Sequence, residues 1–218
     1  MPGGVNKYIV LDMKLSSATA MRRAGRPRSF DRDIALEAAM LLFWRHGYEA
    51  TSISDLTHAM GITPPSLYAA FGDKRRLFLA AVERYLGGLQ TIERQITATA
   101  SAREAAHDLL VSAVLGDTGE DTPPGCLLAS SLVSSSNEAD AVREALAAIR
   151  RSIEYALRAR IERDIREGVL PQTTDAEMLA GHVFAVVQGM STLAKDGAHR
   201  DKLMKIAEAA MSAWPKAG

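Results

Sequence analysis

From Asp31 onward the apolar positions Ile34, Ala38 and Leu42 fall on one stripe at helical spacing, with Phe43 beside them, and the stripe stops at His46-Gly47. That pattern predicts an amphipathic helix closed by a glycine, the residue that turns most easily beyond a helix end. A second, shorter helix carries Ile53, Leu56 and Met60, with Thr51 or Ser52 as its cap and Asp55 in its first turn. Gly61 follows as a turn residue. The stretch "GITPPSLYAAFGDK", residues 61–74, then opens a third helix abruptly. Pro64 and Pro65 cost little at the first helical positions, where the amides have no intrahelical partner, and Thr63 is placed to be the N-cap.

The rest of the chain also reads as helix. Asp73 caps a long helix that runs through Phe78, Val82, Tyr85 and Leu89 toward Ala100, and 101–115 forms another. Residues 116–125, with Pro123-Pro124, read as a loop, and 125–135 as a small-residue helix holding Cys126. A strongly charged helix over 138–167 is ended by Gly168 and Pro171, and helices over 174–193 and 198–214 complete the pattern. No repeat and no strand is evident. The fold class is all-α.

Helix, tight glycine turn and short proline-started helix together have the layout of a helix-turn-helix, whose second member lies in the major groove with its N-terminal residues at the base edges. Helix lengths and spacing alone leave an ordinary helical hairpin equally open. Composition does not decide between them. Lys+Arg and Asp+Glu are 26 each, so the net charge indicates no partner. The distribution is more telling: Arg22, Arg23, Arg26, Arg28 and Arg32 cluster just ahead of the first helix.

The stretch "GRPRSFDRDIALEAAMLLFWRHGYEATSISDLTHAMGITPPSLYAAFGDKRRLF", residues 25–78, resembles the DNA-binding domain of the TetR/AcrR family of bacterial transcriptional regulators. The resemblance rests on Gly47 with Tyr48, the Thr51-Ser52 pair, the Gly-Ile-Thr turn, Leu67-Tyr68 followed by Phe71, and Lys74 with Leu77. It covers about a quarter of the chain. Ala70 departs from it, since many members carry a histidine there. Residues 1–24 read as a flexible leader, and the resemblance implies a helix-turn-helix domain over 25–72 and a helical ligand-binding and dimerisation domain over 73–218. Met13 or Met21 is an alternative start for the natural chain.

Within that frame Tyr68 and Lys74, with the hydroxyls and amides of Thr51 and Ser52, match the family's phosphate contacts, which set register but not sequence. Thr63, Pro64, Pro65 and Ser66 are the candidates for base contacts, whereas Leu67 and Phe71 belong to the motif's core. Arg26 and Arg28 make either a solubilising tail or an arm for the minor groove, whose negative potential attracts arginine. Trp44 reads as packing or surface. The expected partner is a pseudo-palindromic double-stranded DNA operator, bound by a homodimer.

Dimerisation in the resembling family uses the last two long helices of each subunit. Gly181, Ala185 and Gly189 recur every fourth residue and make a narrow strip along one of them; Leu203, Ile206, Ala210 and Met211 offer the same surface on the other. From periodicity alone, that strip packs equally well inside one subunit. A small-molecule effector, of unknown identity, needs an enclosed apolar pocket with a few polar groups. Cys126, Ser130, Val133, Tyr155 and Gln188 are the candidates, with core packing as the plainer reading. No charged residue falls clearly on those faces, which favours a neutral or hydrophobic ligand. The helix from Lys74 toward Ala100 is the expected lever. Two alternatives remain: a redox-responsive regulator sensing through Cys126, and a helix-turn-helix protein-interaction module.

Catalysis is not expected. The five histidines have no metal-ligand spacing, the serine-rich "SLVSSSN" lacks a nucleophile elbow, and no metal or cofactor is implied. The single cysteine excludes an internal disulfide and fits a reducing cytoplasm. No apolar run approaches the roughly 20 residues of a membrane span.

Overall fold

The computed structural model describes residues 30–129 and 137–215. Asp31 starts α1 (Arg32–His46) by accepting the amides of Asp33 and Ile34 at 2.8 and 3.3 Å. Apolar residues lie almost all round α1, so the predicted stripe misplaces its buried face. Ile34 is 69% exposed, and Ala38 and Leu42 are half-buried, while Ala39, Met40, Phe43 and Trp44 are enclosed. α2 (Ile53–Met60) is capped by Ser52, which closes a reciprocal capping box with Asp55. Gly61 then takes the left-handed conformation (φ 64°) and α3 (Pro64–Phe71) follows, turning Leu67 and Phe71 inward.

α4 (Lys74–Leu86) begins at Asp73, whose carboxylate accepts the Arg76 amide at 2.7 Å. The predicted single helix toward Ala100 is in fact two. Gly87 (φ 68°) and Gly88 (φ 99°) both lie in a region that helices cannot use, and α5 (Leu89–Ala98) starts afresh beyond them. α6 (Ala102–Asp117) extends two residues further than the pattern suggests. The predicted helix over 125–135 is also corrected. Gly125, at φ 78°, opens a turn that includes Cys126, and residues 130–136 lie outside the described residues. α7 (Asn137–Arg166), α8 (Ala176–Lys195) and α9 (Arg200–Ser212) match the expected helices within a few residues. Among the described residues there is no strand, and no helix is long and apolar enough to cross a membrane.

α1 packs chiefly on α4 and α2, with α3 closing the unit. Its centre is aromatic: the Phe78 ring meets Phe43 edge-on at 5.0 Å and Tyr48 at 5.2 Å. Such pairs contribute about 0.5–1.5 kcal/mol each beyond their buried area. In the second unit α6 is surrounded by α7, α8 and α9, and α5 lies on α7. Arg160 and Asp164, both 2% exposed, form an ion pair inside it. Asp164 also accepts the Ala102 amide at 2.7 Å, and Arg160 donates to the Ala100 carbonyl at 2.9 Å, so this pair caps α6 from a distance.

Candidate DNA interface and buried cavity

The start of α3 stands clear of the protein. Thr63, Pro64 and Pro65 are exposed, Ser66 is half-buried and Tyr68 is 50% exposed. Thr63 occupies the N-cap position but makes no bond to the helix backbone; its hydroxyl lies 3.0 Å from that of Ser66. Pro65 has no amide to offer at the second helical position, and the Thr63 hydroxyl turns to the Ser66 hydroxyl rather than to the Ser66 amide. A pair of hydroxyls is therefore held together at the exposed tip. Lys74 reaches back to the turn between α1 and α2, its Nζ 4.5 Å above the Tyr48 ring and 3.4 Å from the Glu49 carbonyl. Its charge is thus oriented by the aromatic core.

The paired expectation for Thr51 and Ser52 divides. Ser52 is exposed at the start of α2, but Thr51 is 1% exposed and donates its hydroxyl to the Gly47 carbonyl at 2.7 Å. Thr51 closes the turn after α1, and its hydroxyl is not presented to a phosphate. Arg26 and Arg28, like the leader over 1–24, lie outside the described residues.

A cavity of about 110 Å³ opens where α4, α6, α7 and α8 converge. α6 gives it Leu109, Ser112, Ala113, Gly116 and Asp117, one face at helical spacing, and α8 gives Phe184, Val187, Gln188 and Ser191 at the same spacing. Of the expected pocket residues, Cys126 and Gln188 line it. Tyr155 does not: it is 70% exposed, because two residues after the lining Ile153 a helix has turned to its far side. Ser130 and Val133 lie outside the described residues. Charge is present after all, as Asp117 and Arg150 both line the cavity.

The polar groups gather at one end. Ser191 donates to Asp117 Oδ2 at 2.5 Å, and the Tyr85 hydroxyl donates to Cys126 Sγ at 3.4 Å. Burial pushes the Asp117 carboxyl up to about 6, only partly opposed by the Ser191 hydroxyl. Burial first, and then the Asp117 charge, push the Cys126 thiol up; the Tyr85 phenol is raised well above its usual range mainly by burial. A thiol held protonated is a poor nucleophile.

Trp44, given no role from the sequence, joins the two units. Its indole Nε1 donates to the Gly125 carbonyl at 2.6 Å, while its ring meets Tyr85 edge-on at 4.8 Å. The Gly125 amide in turn donates to the Asp117 carbonyl at 2.9 Å. Nothing local marks these residues, because the partners are 81 positions apart. Asp117 had a better signal: it shares a helical face with Leu109 and Ala113, once α6 is carried through Gly116.

On α8, Ala185 and Gly189 are exposed and Gly181 is half-buried, while Met178, on the same face, is 59% exposed. The strip thus faces outward. On α9 the expectation is half corrected. Leu203 and Met211 are enclosed within the chain, at 0% and 6% exposure, and only Ile206 and Ala210 remain partly open.

The chain matches the sequence family described as "Bacterial regulatory proteins, tetR family" over residues 35–81, and "Tetracyclin repressor-like, C-terminal domain" over residues 106–210. It is 35% identical to the HTH-type transcriptional repressor ComR of Escherichia coli over 203 residues, 92% of this chain and 97% of that protein. It is 47% identical to the repressor BdcR of Escherichia coli over 66 residues, 30% of this chain and 34% of BdcR. A cysteine mutant of the TetR family regulator CifR, solved with a 26 bp double-strand operator DNA, superposes with a TM-score of 0.81 at 43% identity, covering 88% of this chain and all of that one. The helix-turn-helix tip, the helical second unit and these relatives agree. The chain belongs to the TetR family of DNA-binding bacterial transcription regulators.

Proposed function

We propose that the protein is a homodimeric repressor that binds a pseudo-palindromic operator through α3 and releases it when a small molecule occupies the cavity. The observation that carries this reading is the Trp44–Gly125 hydrogen bond, which connects the DNA-binding unit to the wall of the cavity. Thr63, Pro64, Pro65 and Ser66 are assigned to base edges, and Ser52, Tyr68 and Lys74 to phosphates. The arm with Arg26 and Arg28 adds minor-groove contacts. The DNA-binding unit spans 25–72 and the sensing and dimerisation unit 73–218. A reducing cytoplasm suits a DNA-binding protein with a single cysteine.

Release follows if the ligand prefers a conformation that fits the operator poorly, and operator must then weaken ligand binding by the same factor. The lever is α4, which is shorter than the sequence suggests and ends at the glycine pair. The outward strip of Gly181, Ala185 and Gly189, with Ile206 and Ala210, is assigned to the dimer. The redox reading through Cys126 is disfavoured by a thiol whose ionisation is suppressed. Titration of a labelled operator with the wild type and Lys74→Ala tests the DNA assignment. The variant should weaken all sequences alike and flatten the salt dependence, whereas Thr63→Ala should change the ranking of operator variants. Unchanged affinity and ranking in both would put the contact face elsewhere. Replacing Cys126 by serine should leave effector release intact; loss of a wild-type response to peroxide would favour the redox reading instead.

A further inference from the structure

The polar end of the cavity contains an imbalance that the fold does not resolve. Asp117 is 2% exposed, and its Oδ2 is taken by Ser191. Its other oxygen, Oδ1, accepts no hydrogen bond among the described residues, and no cationic side chain pairs with the carboxylate there. The guanidinium that shares the cavity, Arg150, is directed to the Leu128 carbonyl at 3.1 Å. Elsewhere in the chain, buried carboxylates are provided for: Asp164 has both Arg160 and the Ala102 amide. A carboxylate largely withdrawn from water, with one hydroxyl donor and no paired counter-charge, is costly, so an arriving donor gains more there than it would in water.

Size narrows the ligand further. The cavity holds about 110 Å³, less than the roughly 150 Å³ of an apolar cavity that admits benzene. Leu86, Ile92, Leu109, Ile153, Phe184 and Val187 give the cavity an aliphatic and aromatic wall, with Arg150, Gln188 and Ser112 as its other polar side chains besides the group around Asp117. We propose that the effector is a compact molecule with a short apolar body and a hydrogen-bond-donating head, a primary amine or an alcohol, seated with that head on Oδ1 of Asp117. This rests on the assignment of the cavity as the effector site and adds its chemistry. At Asp117 itself acceptor-only heads and carboxylates gain nothing, since its ionised oxygen repels lone pairs and negative charge.

The test is direct binding to the full-length protein, followed by heteronuclear NMR or calorimetry, with four probes of nearly equal size: butylamine, 1-butanol, methyl propyl ether and butyrate. The amine or the alcohol should bind roughly tenfold or more tightly than the ether, the usual worth of a hydrogen bond to a charged group, and butyrate should bind least. Tighter binding by butylamine assigns the head as cationic, and tighter binding by 1-butanol assigns it as hydroxyl. Asp117→Ala should erase the preference for donors over the ether. Should that variant not fold, the order of the four probes on the wild type still decides. Ether or butyrate binding as tightly as the donors overturns the proposal, as does a donor preference that survives Asp117→Ala. Failure of the repressor assignment has a different signature: the donors bind in the expected order, yet operator affinity does not change with any of them.

Discussion

Asp117 is the residue whose environment makes the sharpest solution prediction. Its carboxyl titrates near 6 in the fold, against an ordinary 3.8, so the folded state holds the proton more tightly than the unfolded chain. Stability therefore declines as pH rises from about 4 to about 6, by on the order of 2–3 kcal/mol, and levels off above that. The neighbours facing it do not titrate in that window. Tyr85 from α4 and Cys126 from the turn are both pushed up from their usual higher values, and Arg150 from α7 stays charged. Asp117→Asn keeps an oxygen for Ser191 and removes the charge. Urea denaturation at pH 5 and pH 7 should show the variant gaining on the wild type as pH rises, and parallel curves would refute the assigned cause.

At the scale of elements, glycine positions separate what the chain announces from what it conceals. Gly61 has open space around a hypothetical Cβ, so Gly61→Ala meets only the left-handed backbone cost, about 1–2 kcal/mol. At Gly125 a Cβ would come within 2.9 Å of the Ser191 carbonyl as well, so Gly125→Ala should lower thermal stability more than Gly61→Ala. Equal losses would show that this turn yields freely. The starts of α1, α2 and α4 were legible because Asp31, Ser52 and Asp73 accept backbone amides across three residues or fewer. The misjudged elements share a different cause. Apolar spacing continues from Tyr85 across the glycine pair into Leu89, which hid the break after α4. The same reliance on pattern took Gly116 as a stop and so left Asp117 in a loop, outside the candidate pocket. On α1 there was too little polarity to tell one face from another. The tip of α3 was legible because proline and hydroxyl chemistry there is local; Trp44 was not, because its partner comes from the other unit.

For the molecule as a whole, two changes separate assembly from signalling. Ala185 is exposed in the single chain, so Ala185→Arg should fold normally and yet fail to dimerise, since an unpaired charge in a closed interface costs on the order of 3–5 kcal/mol. Sedimentation velocity reads this directly, and an unaltered dimer would remove α8 from the interface. Trp44→Phe keeps an aromatic ring against Tyr85 but deletes the donor to Gly125. Operator affinity without ligand should stay within about threefold, while the factor by which ligand weakens it should shrink, as linkage between the units loses one connection. An undiminished factor would route the signal through α4 alone.

The remote cap on α6 has a bearing on how the chain reaches its fold. The Ala102 amide finds its acceptor 62 residues away, on Asp164, and the Arg160 guanidinium holds the carbonyls just ahead of it from the same late helix. The first turn of α6 thus has no complete set of partners while α7 is still being synthesised. Closure of such a long loop is slow compared with the growth of a helix. On refolding, the Ala102 amide should acquire protection from deuterium exchange together with the second half of α7, and later than the amides of α1 and α2. A chain emerging from the ribosome would carry its DNA-binding unit already formed, beside a sensing unit that waits for its own far end.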